Sequence, residues 1–353
     1  MMALSVQNPE PTDMPTAKLE VNPVCVANRP RRSHIYYRQL ANPNHTRRCP
    51  IDVRGAVATP NSGFRHGVDM NGDRPVDNAP YLTFTHDGLT VEGWSRAAVQ
   101  TYWRIPELNI GFDVGAQPWD FMGTPTWFVS HTHLDHVAAL PVYVARRRMM
   151  KMEPPTIYVP TESSDDVKKL MLILQRLDRG RQLAQVHGVA AGDEIELGRN
   201  QVIRVFDTVH TIPSRGFIIY ERRHKLKDEF VGLPGEKIKE LRLSGVAITR
   251  EIRLPLVAYT GDTAPAGLDN NPEFFEAKIL ITEMSFIRAS HRRDKIHKFG
   301  HMHLDDFLER ASQFKNEVIV TAHFSTRYHP NEVRKVLQNK LPPELKARLK
   351  VWV

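Results

Sequence analysis

From residue 81 onward the apolar positions fall into short β-branched or aromatic runs broken by polar turns, a pattern of strands more than of long helices. Tyr81-Leu82-Thr83-Phe84, Leu89-Thr90-Val91, Val99-Gln100-Thr101-Tyr102-Trp103 and Leu108-Asn109-Ile110-Gly111-Phe112-Asp113 predict a meander. Trp127-Phe128-Val129 predicts a buried strand. The segment 137–152, apolar on one face and stopped by Pro154-Pro155, predicts a helix whose Arg146-Arg147-Arg148 complement its dipole. A strand at 156–159 follows. Ser163-Ser164-Asp165-Asp166 then reads as the cap of a helix that runs to Gly180, with Val167, Leu170, Met171, Leu174 and Leu177 at helical spacing as its core face. Further strands are expected at 202–206, 216–220, 256–259, 279–281 and 318–321, several delivering a polar residue at their end. In layered folds of strands and helices, chemistry collects at such strand ends.

Residues 1–80 lack this periodicity and are rich in proline and polar clusters, so an irregular N-terminal extension is expected there. That leaves 81–353 as the folded domain. Within it, about 221–252 is charged and mixed, and is expected to be an insertion standing off the core. It is either a solvated helical hairpin or a basic surface for an RNA backbone.

The length of 353 residues and the 25% charged content fit one large domain plus an extension. A formal charge of +8 is compatible with an anionic partner such as nucleic acid, or with a generically basic protein. Cys25 and Cys49 are the two cysteines; they cannot staple a chain this long, and a reducing compartment is expected. No run reaches the eighteen or so apolar residues of a membrane span, and no basic-then-apolar leader opens the chain, so a cytoplasmic location is expected.

The densest chemistry is Ser130-His131-Thr132-His133-Leu134-Asp135-His136, an H-x-H-x-D-H cluster just after the buried strand. Three imidazoles and a carboxylate suit zinc or a similar borderline divalent ion, and the spacing tells against one mononuclear cage. His131 and His133, two apart, suit one ion. Asp135 and His136, at the start of a helix, suit a second. Downstream, strand ends deliver His210, Asp262 within Thr260-Gly261-Asp262-Thr263, Glu283, and His323 within His323-Phe324-Ser325-Thr326-Arg327-Tyr328, while Gly300-His301-Met302-His303 opens a helical segment.

These motifs resemble the metallo-β-lactamase superfamily and, within it, ribonuclease Z, from about residue 85 to the C-terminus. Residues 225–249 are most similar to the short type found in plants. The resemblance implies an α+β, four-layer αββα sandwich and two zinc ions, with manganese or another divalent ion as a substitute. His131, His133 and His210 would hold one ion, Asp135, His136 and His323 the other, and Asp262 would bridge them. It further implies removal of the 3′ trailer of precursor tRNA by a metal-bridging hydroxide. Asp135 would orient that nucleophile's proton, and Glu283 would orient His301 as proton donor to the leaving oxygen. Glu283 and His301 as supports for His323 are the alternative. Arg327 is expected to contact a substrate phosphate and His303 to face solvent. A homodimer is implied as well. The competing expectations are a hydrolase of another phosphodiester or ester and a non-catalytic RNA-binding protein.

Overall fold

The computed structural model describes residues 79–353 apart from 182, together with the strand Arg65–His66. The extension expected over 1–80, with Cys25, Cys49, His34 and His45, therefore lies almost wholly outside the described residues.

Two mixed sheets stack face to face. The first contains β1 (Arg65–His66), β2 (Leu82–His86), β3 (Leu89–Arg96), β4 (Gln100–Ile105), β5 (Ile110–Val114), β6 (Thr126–Phe128), β7 (Thr156–Pro160) and β8 (Gln185–Val189), in sequential order. Its strands pair antiparallel as far as β5 and parallel from β5 to β8. The second contains β9 (Glu194–Glu196), β10 (Gln201–Asp207), β11 (Arg215–Leu226), β12 (Thr249–Tyr259), β13 (Ile279–Glu283), β14 (Val318–Ala322) and β15 (Leu349–Val351), also in sequential order. It repeats the design: antiparallel to β12, then parallel to β15.

Alternation along the strands explains why both sheets are covered on two faces. In β6, Phe128 enters the core between the sheets and Trp127 points to the outer layer; in β13, Ile279 and Ile281 point inward and Leu280 outward. The inter-sheet core joins Trp103, Phe112 and Phe128 of one sheet to Phe217, Val257 and Val320 of the other. Truncating any of these aromatics to alanine is expected to cost about 3–5 kcal/mol.

Outside the first sheet lie α1 (Leu134–Val137), α2 (Leu140–Met149) and α3 (Thr161–Asp178), which bury Val137, Leu140, Tyr143, Val167 and Met171 against Trp127, Ile157 and Val159. The arm between β11 and β12 carries α4 (Gly235–Leu243). Outside the second sheet, α5 (Pro265–Asp269), α7 (Leu304–Glu309), α8 (Pro330–Lys340) and α9 (Pro343–Arg348) pack through Leu268, Phe307, Leu337 and Leu345, while α6 (Arg293–Lys298) sits beside them. The result is the four-layer αββα sandwich.

Several local expectations need correction. The helix expected over 137–152 is two helices, broken at Ala138-Ala139, and starts early enough to include Asp135 and His136. Buried Arg147 binds the carbonyls of Met122 and Glu153 at 2.5 and 2.9 Å, so it fastens loops as well as facing the dipole. Ser163 to Asp166 do not cap α3, which starts at Thr161 after Pro160. On α3, Leu170 and Leu177 are exposed, while Val167 and Met171 take the core. The arm is not a helical hairpin: β11 and β12 run outward together as a two-stranded ribbon, paired as far as Leu226 and Thr249, and only its tip is helical. Polar positions dominate the outer ends of both strands because no second layer covers them there.

Candidate metal centre

The carboxyl ends of β5, β6, β12, β13 and β14 converge, and the polar residues that follow them meet in one cluster. β6 is buried on both faces, and its loop is fastened from each sheet. Ser130 N donates to Asp113 Oδ1 at 2.6 Å, and Arg215 N donates to Ser130 O at 2.8 Å. His133 then adopts an extended backbone as the residue before α1, which turns Asp135 and His136 towards the same space.

Three imidazole nitrogens meet on one side. His133 Nδ1 is 3.1 Å from His131 Nε2 and 3.0 Å from His210 Nε2. Nitrogens on one tetrahedral zinc at its usual bond length stand about 3.3 Å apart, close to this spacing. On the other side, Asp262 Oδ2 lies 3.3 Å from both His136 Nε2 and His323 Nε2, and Asp135 Oδ2 lies 3.5 Å from His323 Nε2. Asp262 Oδ2 is also 3.8 Å from His131 Nε2, so this carboxylate faces both groups.

The donors fit divalent cations. His136 Nε2 and His323 Nε2 are buried without a hydrogen bond, although a carboxylate oxygen is near each. Buried polar atoms normally have a partner, and one shared cation would satisfy both nitrogens and the carboxylate. The electrostatics agree. Burial favours the neutral form of Asp262, yet the imidazoles of His323 and His136 hold its carboxyl well below the usual range. Burial likewise opposes the ionised form of Asp135, but the imidazoles of His323 and His136 beside it bring it to about 2. Burial pushes His131, His133 and His210 below the usual imidazole range, leaving them neutral, as ligands must be. His136 departs in the other direction: Asp262 and Asp113 outweigh burial and raise it well above that range, as an imidazole held between two carboxylates must be.

Four of the five clustered imidazoles, all but His133, are aimed by a partner on the other nitrogen. His131 Nδ1 meets Ser130 Oγ at 3.0 Å, His136 Nδ1 meets Asp113 Oδ2 at 2.7 Å, His210 Nδ1 meets Gly300 O at 2.9 Å, and His323 Nδ1 meets Ser285 Oγ at 3.1 Å. Asp135 Oδ2 accepts from Ala98 N at 2.8 Å. Sequence reasoning missed Asp113, Ser130, Tyr259 and Ser285. Asp113 is the last residue but one of β5, Glu283 ends β13 and Asp262 follows β12, and that shared place near a strand end was its available signal.

Glu283 Oε1 is 3.0 Å from His301 Nδ1, and Oε2 accepts from Ser285 Oγ at 2.6 Å. Burial opposes protonation of His301, but Glu283 wins and raises its pKa to about 9. The His301 side chain is 21% exposed, against 0% for His131 and His136. It alone among these three is open to an incoming molecule while carrying a proton at neutral pH. Arg327 is exposed, four residues beyond His323. His303 does not face solvent: it is buried and caps α7, its Nδ1 accepting from Asp305 N at 3.0 Å while Asp306 Oδ2 accepts from His303 N at 2.8 Å.

Comparison with known proteins gives a consistent picture. Residues 126–324 match the Beta-lactamase superfamily domain. The chain is 36% identical over 265 residues to tRNase Z TRZ1 of Arabidopsis thaliana, covering 74% of this chain and 94% of that protein. It is 35% identical over 302 residues to the chloroplastic tRNase Z TRZ2 of the same plant, covering 85% and 84%. The metallo-beta-lactamase fold protein YhfI from Bacillus subtilis superposes with a TM-score of 0.50 at 14% identity, covering 73% of this chain and 92% of that one, which bears on the fold alone.

Proposed function

The chain belongs to the metallo-β-lactamase superfamily and, within it, to the ribonuclease Z family of metal-dependent endonucleases, and from that membership we propose that it removes the 3′ trailer of precursor tRNA. The observation that carries this reading is the pairing of a convergent His/Asp cluster with the accessible imidazole of His301, held by Glu283, beside it.

His131, His133 and His210 would hold one divalent ion, Asp135, His136 and His323 a second, with Asp262 between them. Zinc is the ion proposed. When bound, such a pair lowers the pKa of a coordinated water to about 7 and offsets the negative charge of a phosphodiester. Asp135, a carboxylate at neutral pH, orients the attacking water through its free oxygen. His301 donates its Nε2 proton to the departing 3′ oxygen, so the tRNA is left with a 3′ hydroxyl and the trailer with a 5′ phosphate. Glu283 holds His301 by Nδ1 and stabilises the charged ring. Arg327 supplies a planar fork for a substrate phosphate. A homodimer is part of this reading, supported by the exposed apolar ridge Leu170, Ile173 and Leu177 on α3.

The test is incubation of the zinc-loaded protein with a 3′-extended precursor tRNA, with product ends mapped and Asp262→Ala as control. Cleavage after the discriminator base, leaving a 3′ hydroxyl, is expected; an uncleaved tRNA with a dizinc protein that hydrolyses a small phosphodiester would overturn the substrate. One observation favours that second reading. Several cations of the arm are matched by carboxylates within it or beside it, Arg222 with Glu196, Arg223 with Glu221, Lys237 with Glu240 and Arg250 with Asp228, which lessens its attraction for a polyanion.

A further inference from the structure

Ser285 stands two residues beyond Glu283, where the chain leaves β13, and is buried. Its Oγ is 2.6 Å from Glu283 Oε2, 3.1 Å from His323 Nδ1 and 3.4 Å from His301 Nδ1. A hydroxyl has one proton and an ionised carboxylate has none. The short contact with Glu283 is therefore the one in which Ser285 donates, strengthened by the carboxylate's charge. Towards His323 the same oxygen is left as an acceptor, and Nδ1 must carry the hydrogen. An imidazole that holds an ion must be neutral and has a single N–H, so with the hydrogen on Nδ1 the Nε2 lone pair of His323 is the one left for the ion. That is the atom facing Asp262 and Asp135.

Glu283 itself is held on every side. Oε1 accepts from Thr263 N at 2.7 Å, Oε2 from Met302 N at 3.2 Å, and the carboxylate has no room to turn away from Ser285. The two accounts of Glu283, as partner of His301 or as support for His323, are thus not exclusive. One oxygen serves the first and the other serves the second through the serine.

We propose that Ser285 is a positioning residue that fixes the tautomer of His323, and that through Glu283 it ties the ion-facing nitrogen of His323 to the imidazole of His301. This rests on the assignment of His323 to an ion.

The experiment titrates zinc into the metal-free full chain against a chromophoric chelator for wild type, Ser285→Ala and Ser285→Thr, and records the ring nitrogens of 15N-histidine-labelled metal-free protein by NMR. Ser285→Ala is expected to weaken one of the two zinc affinities by about 10–100-fold while leaving the other unchanged, the scale seen when a residue supporting a ligand is lost. The unchanged affinity reports that the variant is folded. Ser285→Thr, which keeps the hydroxyl, restores the lost affinity. In wild type His323 shows a single tautomer with hydrogen on Nδ1, and in Ser285→Ala a mixture. Wild-type zinc affinities in Ser285→Ala, or an unchanged His323 tautomer there, would overturn the proposal. Should Ser285→Ala not fold, Ser285→Thr carries the decision: the single wild-type tautomer supports the proposal, and a mixture despite the retained hydroxyl overturns it. His323→Ala separates the two readings: unchanged binding of both ions in that variant would remove His323 as a ligand, and the NMR comparison would still decide what Ser285 does.

Discussion

Asp113 Oδ2 lies 2.7 Å from His136 Nδ1, and both side chains are fully buried. The same carboxylate accepts from Ser130 N, Ser130 Oγ and the Tyr259 hydroxyl, so one residue at the end of β5 fastens the metal loop and a strand of the facing sheet together. Asp113→Ala is expected to cost about 3–5 kcal/mol, since it leaves buried partners unpaired. Urea denaturation checks this, and chelator competition should show weaker zinc binding through His136.

Asp262→Ala and His301→Ala should separate metal binding from proton donation. The first removes the carboxylate that faces both groups of proposed ligands and is expected to lose metal and activity together. The second is expected to keep both ions, by elemental analysis, while cleavage slows by about 10²–10⁴-fold. Equal metal loss in both variants would remove His301 from the role of donor.

Gly300 has a φ of +70°, and a Cβ there would stand 2.5 Å from His210 Cα and Nδ1. Its carbonyl also holds His210. Gly300→Ala is expected to cost about 1–3 kcal/mol from the strained backbone and to displace His210. Reduced occupancy of one zinc, with thermal stability lowered, is the measurable result.

Asp306 is buried beside Arg293, His297 and the backbone N–H of His303. Burial raises its pKa, but the hydrogen bonds from His297 and the His303 backbone, and then from Arg293, hold it below the ordinary carboxylate range. A depressed carboxylate contributes stability above the unfolded-state pKa, near 3.9, and that contribution fades as pH falls through the lower folded value. Asp306→Asn should therefore be destabilised by about 1–3 kcal/mol at neutral pH, with the gap to wild type closing as the medium is acidified towards pH 3. Melting curves across pH 3–7 decide it; a constant gap would show that the charge is not responsible.

On α3, Leu170, Ile173 and Leu177 are 43%, 53% and 75% exposed and lie along one stripe. If a second copy covers this ridge, Ile173→Asp together with Leu177→Asp should halve the mass seen by light scattering without loss of fold. An unchanged mass would place the interface elsewhere.

The strand framework and all seven proposed ligands were legible because their signals are local. A histidine cluster after an apolar run, or a carboxylate after one, declares itself without knowledge of the partner strand. What escaped depends on pairing between distant segments. Asp113 acquires its role only when β5 lies beside β6 and Tyr259 arrives from the other sheet. Ser285 matters because Glu283, His301 and His323 meet around it. The apolar spacing on α3 was read as a core face throughout, whereas only Val167 and Met171 find a sheet to cover. The arm's existence was legible but its form was not, because a charged segment without periodicity looks the same whether it is a hairpin of helices or a ribbon continuing two strands.

The two halves of the sandwich contribute unequally to the cluster: His131, His133, Asp135 and His136 come from the first sheet and its loop, and His210, Asp262 and His323 from the second. Ions seated there would act as a clasp across the seam. Any ligand that binds only the closed form adds RT ln(1 + [L]/Kd) to the work of opening it, about 2.7 kcal/mol for each ion present at a hundred times its dissociation constant. The proposed catalytic centre would then also be a fastening between two layers that otherwise meet through an apolar core and a few polar ties such as Tyr259 with Asp113, and chelation would loosen the whole molecule along with silencing it.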